Sequence, residues 1–304
     1  MITGGPTVVA IGNFDGVHLG HREVLAAARA LRPGAPLVAV TFWPHPMFVL
    51  RPDSAPELLC DLPERIDLLR HAGADEVRVV EFSRRVADWS PQEFVDHVLA
   101  PLHPTAVVVG ENFRFGRGAL GTVDTLRDLG AGTFEVVALP LVSDVAALSS
   151  SRVRRSLDDG DVEAAARVLG RPFRYTGIVV MGDQRGRTLG YPTANLTVPA
   201  GHACPADGVY AGWLTCLEDS AAAPMGAAIS VGTNPTFDGV ERRVETYVLD
   251  RTDLELYGCR IGVDFISRLR GQVKFDSLDD LIVQMDADVV AAREVLGVTP
   301  PADA

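Results

Sequence analysis

Apolar and polar positions change their spacing partway along this chain. In the first half, short apolar runs alternate with stripes of helical period. Residues 7–11 are a compact apolar run that predicts a buried strand, and 19–31 repeat apolar positions at helical spacing. Strands are predicted again at 36–42, 77–82, 106–109 and 134–139, with a helical stretch at 63–72. Ser90 followed by Pro91 predicts a helix start, with Phe94, Val95, Val98 and Leu99 on one face. Such alternation predicts a parallel, Rossmann-like α/β sheet covered on both faces. One more helix is expected at 158–169, ended by Gly170 and Pro172. Short β-rich runs follow at 175–181, 209–217, 227–231, 244–249 and 260–266, separated by Gly, Pro and Asp-Gly turns. They predict a small antiparallel β-barrel. A terminal helix is expected from Ser277, with Asp280 in a capping-box position and Leu278, Leu281, Ile282, Met285 and Val289 as its stripe. The domains expected are 1–156, a linker helix at 157–172, and 173–304.

Composition narrows the chemistry. The chain has 304 residues and a net charge of −12. The acidic excess is shared by both halves, so neither reads as a basic nucleic-acid module. All the basic residues but Lys274 are Arg. A Walker loop needs Lys beside Ser or Thr, and a protein kinase needs a strand Lys; Lys274 suits neither. Phosphate chemistry here must use Arg, His, backbone N–H groups and a metal. The four cysteines form no Cys-x-x-Cys pair, which argues against a zinc site. No apolar run has membrane-helix length and no leader is recognisable, so a cytoplasmic location without membrane partners is expected. Monomer and small homo-oligomer both stay open.

The densest chemistry lies at Gly12-Asn13-Phe14-Asp15-Gly16-Val17-His18-Leu19-Gly20-His21, between the first strand and helix. A helix N-terminus at the carboxyl end of a strand suits phosphate. His18 and His21 share one side of the first helical turn and can donate to an α-phosphate and its leaving pyrophosphate. The other reading is a turn with two surface histidines. His45 follows a strand between two prolines, as a ligand contact or a structural loop residue. The Asn112 amide can reach ribose or flavin, or close a turn. Phe113 and Phe115 can stack on a planar ring or pack, and Arg154 can neutralise pyrophosphate or make a surface ion pair.

In the second half, Gly182, Gly186 and Gly190 with Arg185 and Arg187 suit a polyphosphate cover. Thr193 and Asn195, two apart on a strand, present a hydroxyl and an amide oxygen on one face. Both are hard donors suited to Mg²⁺; a Gly-rich hairpin is the plainer alternative. Glu245 alternates with apolar residues, as a base at a barrel mouth or as a solvated edge charge.

These stretches carry a resemblance. His18-Leu19-Gly20-His21 looks like the His-x-Gly-His signature of nucleotidyltransferases. The longer run resembles the first motif of bacterial bifunctional riboflavin kinase/FMN adenylyltransferases. Thr41-Phe42-Trp43-Pro44-His45-Pro46, Gly110-Glu111-Asn112-Phe113-Arg114-Phe115-Gly116 and Ser149-Ser150-Ser151-Arg152-Val153-Arg154 resemble its later motifs, in order. Pro192-Thr193-Ala194-Asn195 resembles the riboflavin kinase motif, as do Gly208-Val209-Tyr210 and Asn234-Pro235-Thr236. The resemblance implies adenylylation of FMN to FAD by the first domain, and ATP-dependent phosphorylation of riboflavin to FMN by the second. It places His18, His21 and Glu245 in catalysis. Nucleotide contacts are implied for Gly12, Phe14, Asp15, Gly16, Asn112, Ser150, Ser151 and Arg154 in the first domain. In the second they are implied for Gly182, Gly186, Arg187, Gly190, Pro192, Thr193 and Asn234. Flavin contacts are implied for His45, Pro46, Phe113, Tyr210 and Arg270, with Mg²⁺ on Thr193 and Asn195. The partners implied are riboflavin, FMN, FAD and ATP. Trp43 stands at a position commonly smaller or acidic, and Ser151 where Thr is usual. A paralogue using CTP or a modified flavin stays open, as does a flavin-binding regulator with residual activity.

Overall fold

The computed structural model describes residues 5–140, 148–182, 189–219, 221–236 and 239–299. The chain divides into two compact units, Met1–Ser150 and Ser151–Ala304.

In the first unit, strands β1 (Thr7–Ile11), β2 (Leu37–Trp43), β3 (Glu76–Glu81), β4 (Pro104–Gly110) and β5 (Glu135–Leu139) form one sheet. Its order is β3-β2-β1-β4-β5 and every pairing is parallel. The central strands are apolar at successive positions because both faces are covered. Val9, Ile11, Val40 and Val107 enter one core; Val8, Ala10, Ala39 and Val108 enter the other. Helices α1 (Leu19–Leu31), α2 (Pro46–Leu50), α3 (Leu62–His71), α4 (Arg84–Ala87), α5 (Pro91–Phe94) and α6 (Val123–Gly130) complete the unit. Ser90 and Glu93 make the capping box that starts α5, and a π-helical turn carries the chain on to Leu99. The strand order reverses between β1 and β4, so the crevice at their carboxyl ends is the expected ligand position.

Within the predicted linker span 157–172 the helix is α8 (Val162–Leu169), and a separate helix, α7 (Ser150–Asp158), precedes it. Gly160 takes a left-handed φ of 74°, and the Asp161 carboxylate accepts the Ala164 N–H at 2.8 Å, restarting the helix.

In the second unit, β6 (Phe173–Ile178), β7 (Thr193–Thr197), β8 (Gly208–Cys216), β9 (Met225–Thr236), β10 (Gly239–Val248) and β11 (Arg260–Arg270) form an antiparallel sheet. Its order is β6-β11-β8-β9-β10-β7. The two edges approach each other. The Val180 N–H donates to the Asn195 carbonyl at 2.9 Å, and the Tyr175 hydroxyl donates to the Thr197 carbonyl at 2.8 Å. Curling round this way removes most of the free edge. The last helix, α9 (Leu278–Leu296), starts at the Ser277 cap as expected. Leu281, Ile282, Met285 and Val289 of the predicted stripe are half-buried, but Leu278 is 56% exposed, and Asp288 and Ala292 are the buried residues. Asp288 goes inside because Arg270 meets it in a two-pronged ion pair, at 2.8 and 2.6 Å. Among the described residues no helix is long and apolar enough to cross a membrane.

Candidate active sites

The first site forms where β1 gives way to α1. The turn is held in an unusual conformation. Phe14 (φ 51°), Gly16 (φ 76°) and Val17 (φ 40°) all lie in the left-handed region. For Val, branched at Cβ, this is a genuine outlier of the kind that collects at functional sites. The turn brings the rings of His18 and His21 into a stack, with centroids 3.6 Å apart. His18 caps α1: its Nδ1 accepts the His21 N–H at 3.4 Å, which leaves the ring proton on Nε2. Nδ1 of His21 is buried and has no hydrogen-bond partner. Burial, then the neighbouring His18 and Arg65, hold the His21 pKa well below the usual histidine value. Gly20 permits this packing, because a Cβ there would lie 3.3 Å from the His18 ring and from the Leu148 carbonyl.

Beneath the turn lies a group that sequence reasoning missed. Arg65 of α3 is fully buried. Its guanidinium donates to Asp15 at 3.0 Å, to the Asn13 carbonyl at 3.0 Å and to the Phe42 carbonyl at 3.3 Å, and it stands over the Trp43 ring. Asp15 also accepts the Leu59 N–H, and the Gly16 N–H donates to Sγ of Cys60. Burial and the Asp15 carboxylate push the Cys60 thiol up to about 12, so it is an inert filler. Arg65 thus ties the first motif to the second. An Arg on an amphipathic helix carries no local signal of burial; only the tertiary packing reveals it.

Asp15, for which a nucleotide contact was expected, turns inward. Its carboxylate is 2% exposed and engaged inside the protein, where it shapes the turn. Phe14 is likewise buried, its ring edge-on to His21. Ser150 donates to the Asp15 carbonyl at 2.9 Å. Ser151 is exposed and Arg154 half-buried on α7. His45 caps α2: Nδ1 accepts the Met47 N–H at 3.2 Å, and Nε2 lies 3.4 Å from the Asn13 side-chain amide. Pro46 is the first residue of α2. Asn112 is exposed in the loop after β4, its Oδ1 close over Gly110. Phe113 is half-buried and stacks on Phe115 at 5.5 Å.

The second site is built by strand register. On β10, Glu245 lies opposite Asn195 of β7 and Ser230 of β9, and Tyr247 lies opposite Thr193. Residues paired across a ladder share a face, so Thr193, Asn195 and Glu245 converge. The Asn195 amide donates to the Thr193 hydroxyl at 3.2 Å and to its carbonyl at 3.1 Å. Gly182 presses on that amide: a Cβ there would lie 2.6 Å from Asn195 Cγ. Beside these residues a cleft opens, lined by Gly182, Pro192, Thr193, Asn195, Thr246 and residues of the loop after β10. Tyr191 donates to Asp286 of α9; burial, then that carboxylate, pushes its phenol up to about 12. Gly190 is an exposed turn residue with φ 87°. Asn234 lies in β9, opposite Glu241. Gly186 and Arg187 lie outside the described residues.

Two residues expected to contact flavin have their polar groups engaged within the protein. Tyr210 is fully buried, its hydroxyl donating to the Ala206 carbonyl at 2.6 Å, and it packs edge-on to Phe265 as a core residue. Arg270 is held by Asp288 and donates to the Gly271 carbonyl, so its guanidinium serves the seam between β11 and α9.

Two family descriptions match this chain: FAD synthetase over residues 3–153 and riboflavin kinase over residues 169–296. The bifunctional riboflavin kinase/FMN adenylyltransferase of Escherichia coli (strain K12) is 35% identical over 300 residues, covering 97% of this chain and 94% of the relative. The protein of that description from Bacillus subtilis (strain 168) is 34% identical, covering 93% and 90%. A solved structure titled as a macrolide-efflux protein from Streptococcus pneumoniae superposes with a TM-score of 0.83 at 34% identity, over 96% of this chain and 95% of that one.

Proposed function

This chain belongs to the bifunctional riboflavin kinase/FMN adenylyltransferase family, and we propose that its two units make FMN and then FAD through separate sites. It is a transferase with both activities. The observation that carries the residue assignment is that each matched segment holds its own phosphate-handling set: the His18/His21 stack in one, and Thr193, Asn195 and Glu245 in register in the other.

In the first unit, FMN brings an already anionic phosphate, so no base is needed. The work is in-line placement and charge neutralisation. His18 offers its Nε2 proton to the triphosphate. The orphaned Nδ1 of His21 gains a partner when a phosphate arrives, and that negative charge draws the pKa of His21 back up. His45, Asn112 and Phe113, on the loops after β2 and β4, lie at the carboxyl ends of the strands where FMN would be received.

In the second unit the nucleophile is a neutral hydroxyl of riboflavin. Glu245 takes its proton as the bond to the γ-phosphate forms and the bond to ADP breaks. Thr193 offers a hydroxyl oxygen and Asn195 an amide oxygen on one face of β7, the Asn195 amide nitrogen donating to the Thr193 hydroxyl at 3.2 Å, and two such hard donors fit an ion that keeps waters and substrate phosphates as its other ligands. Mg²⁺ held there would neutralise phosphate charge. Among the described residues no cluster of three or more His, Cys, Asp or Glu offers another metal cage.

The test is a chromatographic time course with riboflavin and Mg²⁺, run with ATP and with CTP. FMN first and FAD second, with ATP alone, is the expected result. A flavin–cytidine product, or FMN without FAD, would reassign the first unit. Flavin binding without turnover would favour a regulator.

A further inference from the structure

We infer that the Ser230 hydroxyl donates to the Glu245 carboxylate and so positions the base of the kinase unit. The inference rests on the reading of Glu245 as that base. Ser230 is half-buried on β9, directly opposite Glu245 of β10. Partners across a ladder share a face, with Cβ atoms roughly 5 Å apart, so the hydroxyl is within reach of the carboxylate. Gln272, two residues beyond β11, decides where the serine proton can go. Its Nε2 donates to the Val231 carbonyl at 2.9 Å and to Ser230 Oγ at 3.1 Å. A carbonyl can only accept, so the amide presents its nitrogen here, and the serine oxygen takes the second N–H as an acceptor. The serine proton is then left for a different group. The other ladder partner of Ser230 is Val209, and the residues flanking it on that face of β9 are Ala228 and Gly232. None of these has a side-chain acceptor, whereas Glu245 has two carboxylate oxygens. A charged acceptor makes this a strong hydrogen bond. With one oxygen held by Ser230, the other faces the riboflavin hydroxyl and takes its proton, while the serine keeps its own. Ser230 is thus a positioning residue, and Gln272 orients it in turn.

The full-length chain carrying Ser230→Ala is assayed for FMN formation beside Ser230→Thr, Glu245→Gln, the double variant Ser230→Ala/Glu245→Gln and the unchanged chain. In Ser230→Ala, kcat should fall about tenfold, as for one lost hydrogen bond to a charged group, while the KM values for riboflavin and ATP hold. Ser230→Thr, which keeps a hydroxyl at the same place, should restore most of that rate. FAD formation from supplied FMN should not change. The double variant should be no slower than Glu245→Gln alone, because the group that Ser230 positions has already lost its function. An undiminished kcat in Ser230→Ala overturns the inference. A change confined to the KM for riboflavin also overturns it and makes the hydroxyl a direct substrate contact. A further tenfold fall in the double variant overturns it as well, since Ser230 would then act independently of Glu245. Undiminished phosphorylation by Glu245→Gln would instead overturn the reading of Glu245 as the base.

Discussion

In the first unit the candidate site is a loop; in the second it is a strand ladder. The loop holds three residues at left-handed φ, and a buried Arg65–Asp15 pair keeps it there from a helix more than forty residues away. The ladder needs no such clamp. Two residues of β7 and one of β10 face one another because antiparallel pairing puts partners on a common face. A loop can place two imidazoles at stacking distance, which no regular strand spacing provides, and the cost is backbone strain that distant groups must offset. A ladder restricts the possible spacings and carries its own rigidity.

That contrast can be broken most sharply at Glu245. Replacement by Gln should lower the rate of FMN formation by about 10²–10⁴-fold, the range for losing a general base, and spare FAD formation from supplied FMN. A loss of both activities in a folded variant would mean the sites are not independent. The next largest effect is expected from Arg65→Met, which takes from the buried Asp15 carboxylate its ion-pair partner. About 3–5 kcal/mol of stability should go from the first unit alone. Calorimetry should show its unfolding at a lower temperature while riboflavin phosphorylation persists at 25 °C. His21→Ala should reduce FAD formation by about 10²–10³-fold, as for removal of one transition-state donor, with FMN formation unchanged.

Gly182→Ala sharpens the comparison from the other side. Its Cβ would push the Asn195 amide aside, and a shift of that order costs about a hundredfold in the kinase rate. Melting of the first unit should not change. The smallest effect concerns pH. Unfolded, His21 takes up a proton as the pH falls through about 6.5; folded, it resists protonation. The unfolded state therefore binds the proton first, and the first unit loses stability as the pH falls below about 6.5. Denaturant midpoints at successive pH values should show this decline, and His21→Asn should flatten it.

The order of elements, the parallel sheet, the change to a barrel near residue 170 and the two clusters of candidate site residues were legible in the chain. Those signals are local: apolar period, caps, turn residues and short motifs depend on neighbours in sequence. Thr193, Asn195 and Glu245 were legible in part, since alternation tells which face a residue takes. It does not tell that β7 lies beside β10 with Asn195 opposite Glu245; pairing register decided that. Tertiary structure alone decided that Asp15 and Tyr210 turn inward, that Arg270 meets Asp288, and that Arg65 is buried under the first site. A charged or aromatic side chain reads alike in sequence whether it faces ligand or partner. The difference is made by groups far along the chain, which become neighbours only when the units fold.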